Sequence, residues 1–474
     1  MLKPGDNQRN RQGGPPERAA VPAATEEEAE RAITRLLAEW ELRVRRLRVE
    51  GSTAPPGLSS RFGSPQAVVA HERVIERLAA LGPAALEPLA RALRVEATES
   101  LALGRAAIAA RALGRMGDFR AAPALLAALR DQRESAAVVR GAAALALGAL
   151  KAEAAATLYE QALARRDNPD WQAELENLGA LHLETVVEAL VEALRDAAPL
   201  VRAAAADACV DLCLAEPPAL MLTGQAGPPV SGAADTRPAV SAALALAVEP
   251  LSAALQDEHA AVRASAASAL GWIGDLRAAA PLAHCLEDDD EDCRAAAAWA
   301  LGMLRSPVAL KPLARALGDA SKAVRQQVAE ALGQVGDPIT FDLLLDALTD
   351  VEEALEVRAA AARALGQLHL PQALTVFQEL LYAPQPALRM AAVEALGHLG
   401  FGRAYRLLTP LLWHDPDRAV RHAAARALAR LAQARQRRAR WRLRLALRVA
   451  GTARQEALAL LDEHRRHVPQ ALRD

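Results

Sequence analysis

The chain has 474 residues, of which 52% are hydrophobic but only 3% aromatic, and its formal net charge is −2. This near-neutral charge excludes a general attraction to nucleic acid or to an anionic membrane. The longest apolar run, residues 239–248, is far shorter than the roughly 20 residues of a membrane-spanning helix. The N-terminus also lacks the basic-then-apolar pattern of a signal peptide. We therefore expect a cytoplasmic protein.

The first residues predict a tail followed by a helix. Residues 1–24 are rich in proline, glycine and polar side chains, which predicts a disordered tail. Residues 25–64 predict an N-terminal helix and a linker. The helix begins at Thr25 with three glutamates and ends with arginines up to Arg48, an order that suits the helix dipole. The linker covers residues 51–64.

Downstream, arginine recurs at a nearly constant interval. The eight arginines are Arg140, Arg202, Arg263, Arg294, Arg325, Arg358, Arg389 and Arg421. Successive gaps are 62, 61, 31, 31, 33, 31 and 32 residues, so the first two gaps are about twice the rest. A fixed period of about 20–50 residues is typical of stacked-repeat proteins. The period predicts a first block of repeats at residues 65–215 and a second block at residues 239–431.

Each arginine opens the same unit. An apolar residue precedes it and an alanine-rich run follows, closed by a Leu-Gly pair such as Leu270-Gly271. Alanine and leucine favour helix, and we expect the glycine to end it in a left-handed cap. Another helix lies upstream, across a turn whose aspartate usually precedes the arginine by six residues, as Asp257 precedes Arg263. We interpret the aspartates as caps that lie near the guanidinium of their own or the next repeat, and hence as structural.

The register fills the gaps in this series. Trp171 stands 31 residues after Arg140 and has its own Leu-Gly pair, which predicts a repeat with tryptophan in the arginine position. Ala106 marks an earlier unit, so we expect about ten helix pairs. The surplus residues between the second and third arginines fall on the proline- and glycine-rich residues 216–238. We interpret them as an inserted loop, and favour disorder over a functional role.

The C-terminal residues 432–474 predict one or two basic capping helices, because a solenoid needs a polar outer face at each end. Residues 418–454 contain no acid and many arginines. The candidate anion-binding residues are Arg435, Arg437, Arg438 and Arg440. They could hold the phosphates of nucleic acid or anionic lipid. Alternatively their stems cover the last apolar layer while their heads stay in water, which is the interpretation we prefer.

The repeat unit resembles the HEAT-like repeat named after the phycobilisome (PBS) lyases. The resemblance is carried by the Asp-turn-Val-Arg segment, the alanine run and the Leu-Gly-x-x-Gly-Asp closure, best kept at residues 270–275 and 332–337. It covers roughly residues 80–430 and implies an all-α fold, a right-handed α-solenoid of the armadillo/HEAT type. It implies little about activity, since such arrays are alike in enzymes, chaperones and scaffolds.

Two enzymatic relatives of this repeat type bear on activity. Deoxyhypusine hydroxylase holds a di-iron centre with His-Glu pairs just after the repeat arginines. Here only His422 keeps half of such a pair, and the intact His71-Glu72 lies outside the recognised repeats, so we expect that chemistry to be absent. The phycobilin lyases attach or remove a bilin at a cysteine of a phycobiliprotein. They offer no short catalytic motif to compare, so a lyase-like function stays open.

Cysteines and acids invite a metal or redox interpretation. Of the four cysteines, Cys209, Cys285 and Cys293 stand where other repeats have packing residues, so we expect them to be buried. The acidic run at residues 287–292 lacks the ligand spacing and turn glycine of a calcium loop and occupies an ordinary repeat turn. We predict no catalytic residue, no metal site and no cofactor.

The variable positions of the second helices indicate where a partner binds. Positions one, five and nine after each arginine differ between repeats and share one helical face, which in solenoids of this kind lines the concave side. Trp272, Trp299 and Met303 should cluster there as an apolar anchor, although the tryptophans could instead fill gaps beside small residues. The candidate partner-binding residues are Trp272, Trp299, Met303, Glu330, Arg363, Glu394 and His398.

The charges of this face are mixed, which argues against nucleic acid and favours a protein or peptide. The sequence therefore predicts a non-catalytic scaffold or adaptor. The phycobilin lyase-like enzyme is the alternative, and the hydroxylase is the least favoured.

Overall fold

The computed structural model describes residues 25–49, 65–94, 99–164, 183–214, 242–399 and 402–432. Across these ranges the chain is built from α-helices and short 3-10 turns, without a strand. The predicted tail, the linker, the inserted loop, the Trp171 position and the basic residues 433–474 lie outside the described residues. None of the described helices has the length and apolar character that a membrane crossing requires.

The helices of the N-terminal half are α1 (Glu26–Val49), α2 (Pro65–Ala79), α3 (Leu86–Ala92), α4 (Ser100–Met116), α5 (Ala122–Leu129), α6 (Ala137–Ala164), α7 (Leu183–Ala193) and α8 (Pro199–Leu214). Those of the C-terminal half are α9 (Ala242–Ala245), α10 (Val248–Ala254), α11 (Ala260–Ile273), α12 (Ala279–His284), α13 (Glu291–Leu304), α14 (Leu310–Ala316), α15 (Lys322–Val335), α16 (Phe341–Thr349), α17 (Leu355–Gln367), α18 (Ala373–Leu380), α19 (Pro386–Leu399), α20 (Gly402–His414) and α21 (418–432).

These helices stack as ten pairs within the described residues. The pairs are α1/α2, α3/α4, α5/α6, α7/α8, α10/α11, α12/α13, α14/α15, α16/α17, α18/α19 and α20/α21. The second helix of each pair packs on the second helix of the next, and the core is one continuous cluster of leucine and alanine. The all-α solenoid predicted from the period is confirmed.

The N-terminal helix belongs to this stack. Thr25 and Glu28 form a capping box at its start: the Glu28 backbone N–H donates to Thr25 Oγ1 (3.3 Å), and the Thr25 N–H donates to Glu28 Oε2 (3.0 Å). Helix α1 packs on α2 and α3, and Trp40 is buried between the helices. The pair α1/α2 is therefore the first layer of the solenoid.

Helices α6 and α8 are neighbours in the stack. Helix α6 runs on for 28 residues to Ala164, and it packs directly on α8. A Cβ at Gly148 would lie 2.8 Å from the backbone oxygen of Ala208, so the two backbones are in close contact. The repeat predicted at Trp171 lies outside the described residues, among which the tenth pair is α1/α2. Helix α8 likewise packs directly on α11, across residues 215–241.

The Leu-Gly pairs do not end the helices as the sequence predicted. Gly271 and its counterparts are helical and buried, and each helix continues beyond its glycine, by two residues in the case of Gly271. A Cβ at Gly333 would lie 2.6 Å from the Ala364 Cα of the next layer, so this glycine permits close backbone contact. The left-handed cap falls later, at Gly274 (φ 76°) and Gly336 (φ 77°). The small residue is a packing requirement rather than a stop signal.

The arginines and aspartates join adjacent layers, in a connection that we call the ladder. Arg263 donates from Nε and Nη2 to the two oxygens of Asp288, both at 2.7 Å, while its Nη1 donates to the Asp257 carbonyl of its own turn (2.9 Å). The further pairs are Arg140–Asp196, Arg202–Asp257, Arg294–Asp319 and Arg389–Asp415. The carboxylate of each aspartate binds the arginine of the preceding repeat, whereas the prediction named its own or the next repeat. The arginine of its own repeat is nonetheless close, because it donates to the backbone carbonyl of the same aspartate.

The ladder aspartates also cap the turns that carry them. Asp288 Oδ1 accepts from the Asp290 backbone N–H at 2.9 Å. Burial raises the pKa of Asp288, but the hydrogen bonds from Arg263 and from that N–H outweigh it and hold the pKa below its usual value. A structural role for this row is confirmed, because both partners are mostly buried and their hydrogen bonds are directed at each other.

Two layers depart from the ladder pattern. Arg325 pairs with Glu353 rather than with an aspartate, through two bonds of 2.8 and 2.7 Å. Arg358 has no acidic partner among the described residues and donates from Nε to the Leu348 carbonyl (3.0 Å). The reason lies in the next turn, because the position six residues before Arg389 is Ala383. One rung is thus missing between α17 and α19.

Candidate partner-binding face

The second helices form the closely packed side of the stack. Alanine and glycine lie where they meet, as at Gly366, where a Cβ would come within 2.5 Å of the Ala395 Cα. The first helices contact one another less, mainly through the 3-10 turns that lead into them. Because the layers are closer together on one side, we infer that the second helices lie on the inner side of the solenoid. The layers share one register: the residue eight positions after a repeat arginine contacts the residue six positions after the arginine of the next repeat, as Gly333 contacts Ala364.

An aromatic cluster forms the centre of this inner face. The rings of Trp272 on α11 and Trp299 on α13 lie 5.5 Å apart between centroids and are inclined by 53°, a tilted pair of the kind that aromatic rings prefer. Trp272 is 39% exposed, while Trp299 is half-buried. Met303, one helical turn after Trp299, is also half-buried. The register thus brings the tryptophans together as predicted and leaves Trp272 open to solvent.

The two tryptophans differ in how far they serve packing. An added Cβ at Gly271 would lie 2.7 Å from Cζ3 of Trp299, so the glycine makes room for that indole. Trp299 therefore fills space beside a small residue, which is the structural interpretation considered for both rings. Trp272 is the more exposed ring, and it rests on Trp299 rather than in the core. The two tryptophans thus present an apolar surface in which the buried part of Trp299 supports the exposed Trp272 ring.

Charged side chains follow on the C-terminal side and pair with each other across layers. Arg363 donates to Glu330 at 2.9 Å, and Arg426 approaches Glu394 at 3.7 Å. His398 is exposed and lies 3.3 Å from Arg430, measured between His398 Nε2 and Arg430 Nη1. Partial desolvation of its ring, followed by the nearby Arg430 charge, lowers the pKa of His398. These residues form a polar row with its charges matched internally.

On the N-terminal side the face is acidic. Asp207 and Asp211 on α8 occupy the positions five and nine residues after Arg202, in the same rows as Ser268 and Trp272 on α11. Desolvation by burial, and secondarily the nearby Asp207, raise the pKa of the Asp211 carboxyl to about 6. Among the described residues Asp211 has no hydrogen-bond or ion-pair partner, in contrast to the glutamates on the other side.

The cysteines and the His71-Glu72 pair, which were considered for metal or redox chemistry, make structural contacts instead. Cys209, Cys285 and Cys293 are buried, as their positions predicted, and burial raises the pKa of the Cys209 thiol to about 12. His71 packs against Trp40 with ring centroids 5.8 Å apart, and burial lowers its pKa, whereas Glu72 accepts from Arg111 at 2.6 Å. This His-Glu pair is thus divided between two different contacts.

The acidic run holds its own turn together. Asp288 belongs to the ladder, and Asp290 Oδ1 accepts from the Cys293 backbone N–H (3.0 Å) as the N-cap of α13. Over the described ranges no group of three or more His, Cys, Asp or Glu side chains is arranged to hold a metal ion. The predicted anion-binding residues Arg435, Arg437, Arg438 and Arg440 lie outside the described residues.

The stacked helix pairs and the exposed inner row define this molecule as an α-solenoid that presents a continuous helical surface. The profile for HEAT repeats matches residues 240–302, 285–356 and 351–429, and the profile for the PBS lyase HEAT-like repeat matches residues 106–131. Residues 240–429 are thus HEAT repeats, and residues 106–131 match one PBS lyase HEAT-like repeat. No curated protein matches it in sequence.

Solved structures share the fold. A chain of the Kap95:Nup1 complex is 15% identical with a TM-score of 0.55, and the alignment covers 88% of this chain and 52% of that one. The complex of CpcE and CpcF of phycocyanin lyase from Nostoc sp. PCC7120 is 23% identical with a TM-score of 0.35, covering 58% and 94%. Human deoxyhypusine hydroxylase is 21% identical with a TM-score of 0.25, covering 78% and 96%. At 15% identity the likeness to the Kap95:Nup1 chain concerns the fold and not the activity.

Proposed function

We propose that this protein is a non-catalytic scaffold or adaptor that binds a protein or peptide on its inner face, centred on Trp272, Trp299 and Met303. The observation that carries the proposal is the tilted tryptophan pair, with Trp272 39% exposed among helices that otherwise present alanine and paired charges. Exposed tryptophan on a supported apolar surface is typical of the energetic centre of an interface.

The surroundings of the pair fit such an interface. Polar and charged residues flank the aromatic centre on both sides, which matches the arrangement of an apolar core with a polar rim. Charges of both signs along the row suit a protein better than a nucleic acid. The Kap95:Nup1 complex supports the proposal by analogy, because there a chain of the same fold is found with a protein partner.

Affinity capture from the native cell tests the proposal when wild type is compared with a Trp272→Ala, Trp299→Ala variant. The expected result is that specific partners recovered by wild type are lost by the variant. Since Trp299 packs over Gly271, its removal can loosen the stack. The single variant Trp272→Ala, which removes the more exposed ring, is therefore captured in parallel, and all proteins are compared by thermal unfolding.

A matched control removes exposed apolar side chains elsewhere. Val308 and Ile339 lie in the 3-10 turns before the first helices and are 62% and 75% exposed. A Val308→Ala, Ile339→Ala variant is expected to recover the wild-type partners. If the tryptophan variants also recover them, the inner face is not the binding surface and the proposal is wrong.

A lyase-like function is the second candidate, supported by the PBS lyase HEAT-like repeat at residues 106–131. Such an enzyme handles a bilin, so mixing the purified protein with free bilin is expected to shift the visible absorbance of the pigment. An unchanged spectrum, in the presence and absence of a phycobiliprotein acceptor, removes this candidate.

A further inference from the structure

The acidic flank of the aromatic centre distinguishes the two ends of the inner face. Toward the C-terminus, Glu330 and Glu394 each lie beside an arginine of the next layer. Toward the N-terminus, Asp211 has no such partner in the described part of the chain, although Asp207 stands one turn before it on α8. Carboxylates four residues apart on a helix repel each other, so their joint presence there is unfavourable for the free protein.

The positions of Asp211 and Trp272 are equivalent on neighbouring helices. Each stands nine residues after its repeat arginine, and the contact between Gly148 and Ala208 shows that α8 keeps the register of the other layers. Helix α8 packs directly on α11. Because packed helices are about 8–10 Å apart, one long side chain laid between them reaches both the carboxylate and the indole.

We propose that the partner presents a lysine or arginine that lies across the indole of Trp272 and donates to the carboxylate of Asp211, beside an apolar side chain that packs on Trp299 and Met303. This inference rests on the proposed function and names the chemistry of the partner: an extended peptide segment with a basic residue next to an apolar one. A cation is attracted to the face of an indole and forms strong hydrogen bonds with a carboxylate.

The electrostatics of the free protein support this choice of occupant. Burial and Asp207 raise the pKa of Asp211 to about 6, so its negative charge is poorly stabilised until a cation arrives. An acidic or neutral segment would leave that charge unrelieved. The Asp211 carboxylate also repels an acidic partner.

The test uses a displayed library of random 12-residue peptides, selected on the full-length protein. Three forms are used: wild type, Asp207→Asn with Asp211→Asn, and Trp272→Ala with Trp299→Ala. Wild type is expected to enrich peptides with a lysine or arginine next to an apolar residue. Replacing that basic residue by glutamine in the best peptide should weaken binding to wild type more than about tenfold. Binding to the Asp→Asn variant should weaken only by the roughly two- to fivefold that the contact with the Trp272 indole contributes.

Asn is close in size to Asp, so the double Asp→Asn variant keeps the shape of the face. A control with Asp289→Asn and Glu291→Gln, both exposed at the start of α13, should behave as wild type. An equal loss on wild type and on the Asp207/Asp211 variant, or enriched peptides without basic residues, overturns the inference while leaving the proposed function standing. Equal enrichment by wild type and the tryptophan variant, including none by either, contradicts both.

Discussion

The missing rung at Ala383 can be restored by one substitution. In the other layers an aspartate at this position binds the preceding arginine twice and caps its own turn, as Asp415 does with Arg389 (both bonds 2.9 Å) and with the Asp417 backbone N–H (2.9 Å). Asp415 is followed by a proline, and so is Ala383, so the turn already accepts that sequence. Ala383→Asp should therefore bind Arg358 in the same way.

The size of the effect follows from what the new carboxylate gains and loses. A hydrogen bond to a charged group contributes about 1.5–3 kcal/mol, and two such bonds form. Against this, withdrawing the carboxylate from water costs several kcal/mol, and Arg358 must leave the Leu348 carbonyl. We expect a net gain of about 1–2 kcal/mol in the free energy of unfolding.

Urea unfolding followed by circular dichroism at 222 nm measures this gain. Ala383→Asn, which can cap the turn but carries no charge, should gain clearly less. Ala383→Asp combined with Arg358→Met should be no more stable than Arg358→Met alone, because the carboxylate then lacks its partner. A gain of the same size in both backgrounds would refute the ladder as the source of the stability.

Three further predictions concern stability. Gly333→Ala should destabilise by about 1–3 kcal/mol, because its Cβ meets the next helix. Gly318→Ala should not, because its Cβ would lie 3.6 Å from the nearest atom, the Arg315 carbonyl oxygen; urea midpoints compare the two variants. The ladder aspartates have lowered pKa values, so their contribution is complete above their usual pKa and is lost as the pH falls through the lowered one. Thermal midpoints should therefore fall steeply below about pH 4, and less steeply for Asp288→Asn; identical slopes would argue against the ladder. The opposite sign holds for Asp211, whose pKa is raised from 3.8 to about 6: its cost to stability grows as the pH rises between these two values and is complete above the upper one. Asp211→Asn should therefore be stabilised more at pH 7.5 than at pH 4.5, and an equal effect at both would contradict this.

The repeat period was sufficient to predict the stack because each repeat forms the same local structure. Alanine and leucine runs on either side of an aspartate turn specify two helices wherever they occur. The period does not show which arginine each aspartate binds in a neighbouring repeat. The sequence shows that Asp288 precedes Arg294, but not that it reaches back to Arg263, because that contact depends on how the layers are superposed.

Spacing alone did not show how the layers meet or what the glycines do. A spacing of 31 residues is consistent with a repeat, yet the packing of Gly148 on Ala208 decides that α6 and α8 are neighbours. Glycine serves both helix ends and close helix contacts, and its sequence context did not separate the two roles. Only the backbone distance of the next layer distinguishes Gly271, a contact residue, from Gly274, a cap.

The position of the candidate face was predictable from the sequence, but the exposure and the pairing of its side chains were not. The register alone placed Trp272 and Trp299 on neighbouring helices, where the structure has them 5.5 Å apart. That Trp299 fills the space above Gly271 while Trp272 stays open requires the side-chain packing. The pairing of Glu330 with Arg363, and the lack of a partner for Asp211, likewise emerge only once the helices are stacked.

Site-specific photo-crosslinking in the native cell tests the central claim most directly. A photoreactive amino acid is placed either at position 303 on the inner face or at position 339 in an outer turn, where Ile339 is 75% exposed. The account predicts discrete protein adducts from position 303 that disappear with Trp272→Ala, and none from position 339. Adducts from position 339 alone, or adducts from position 303 that persist without Trp272, would contradict it.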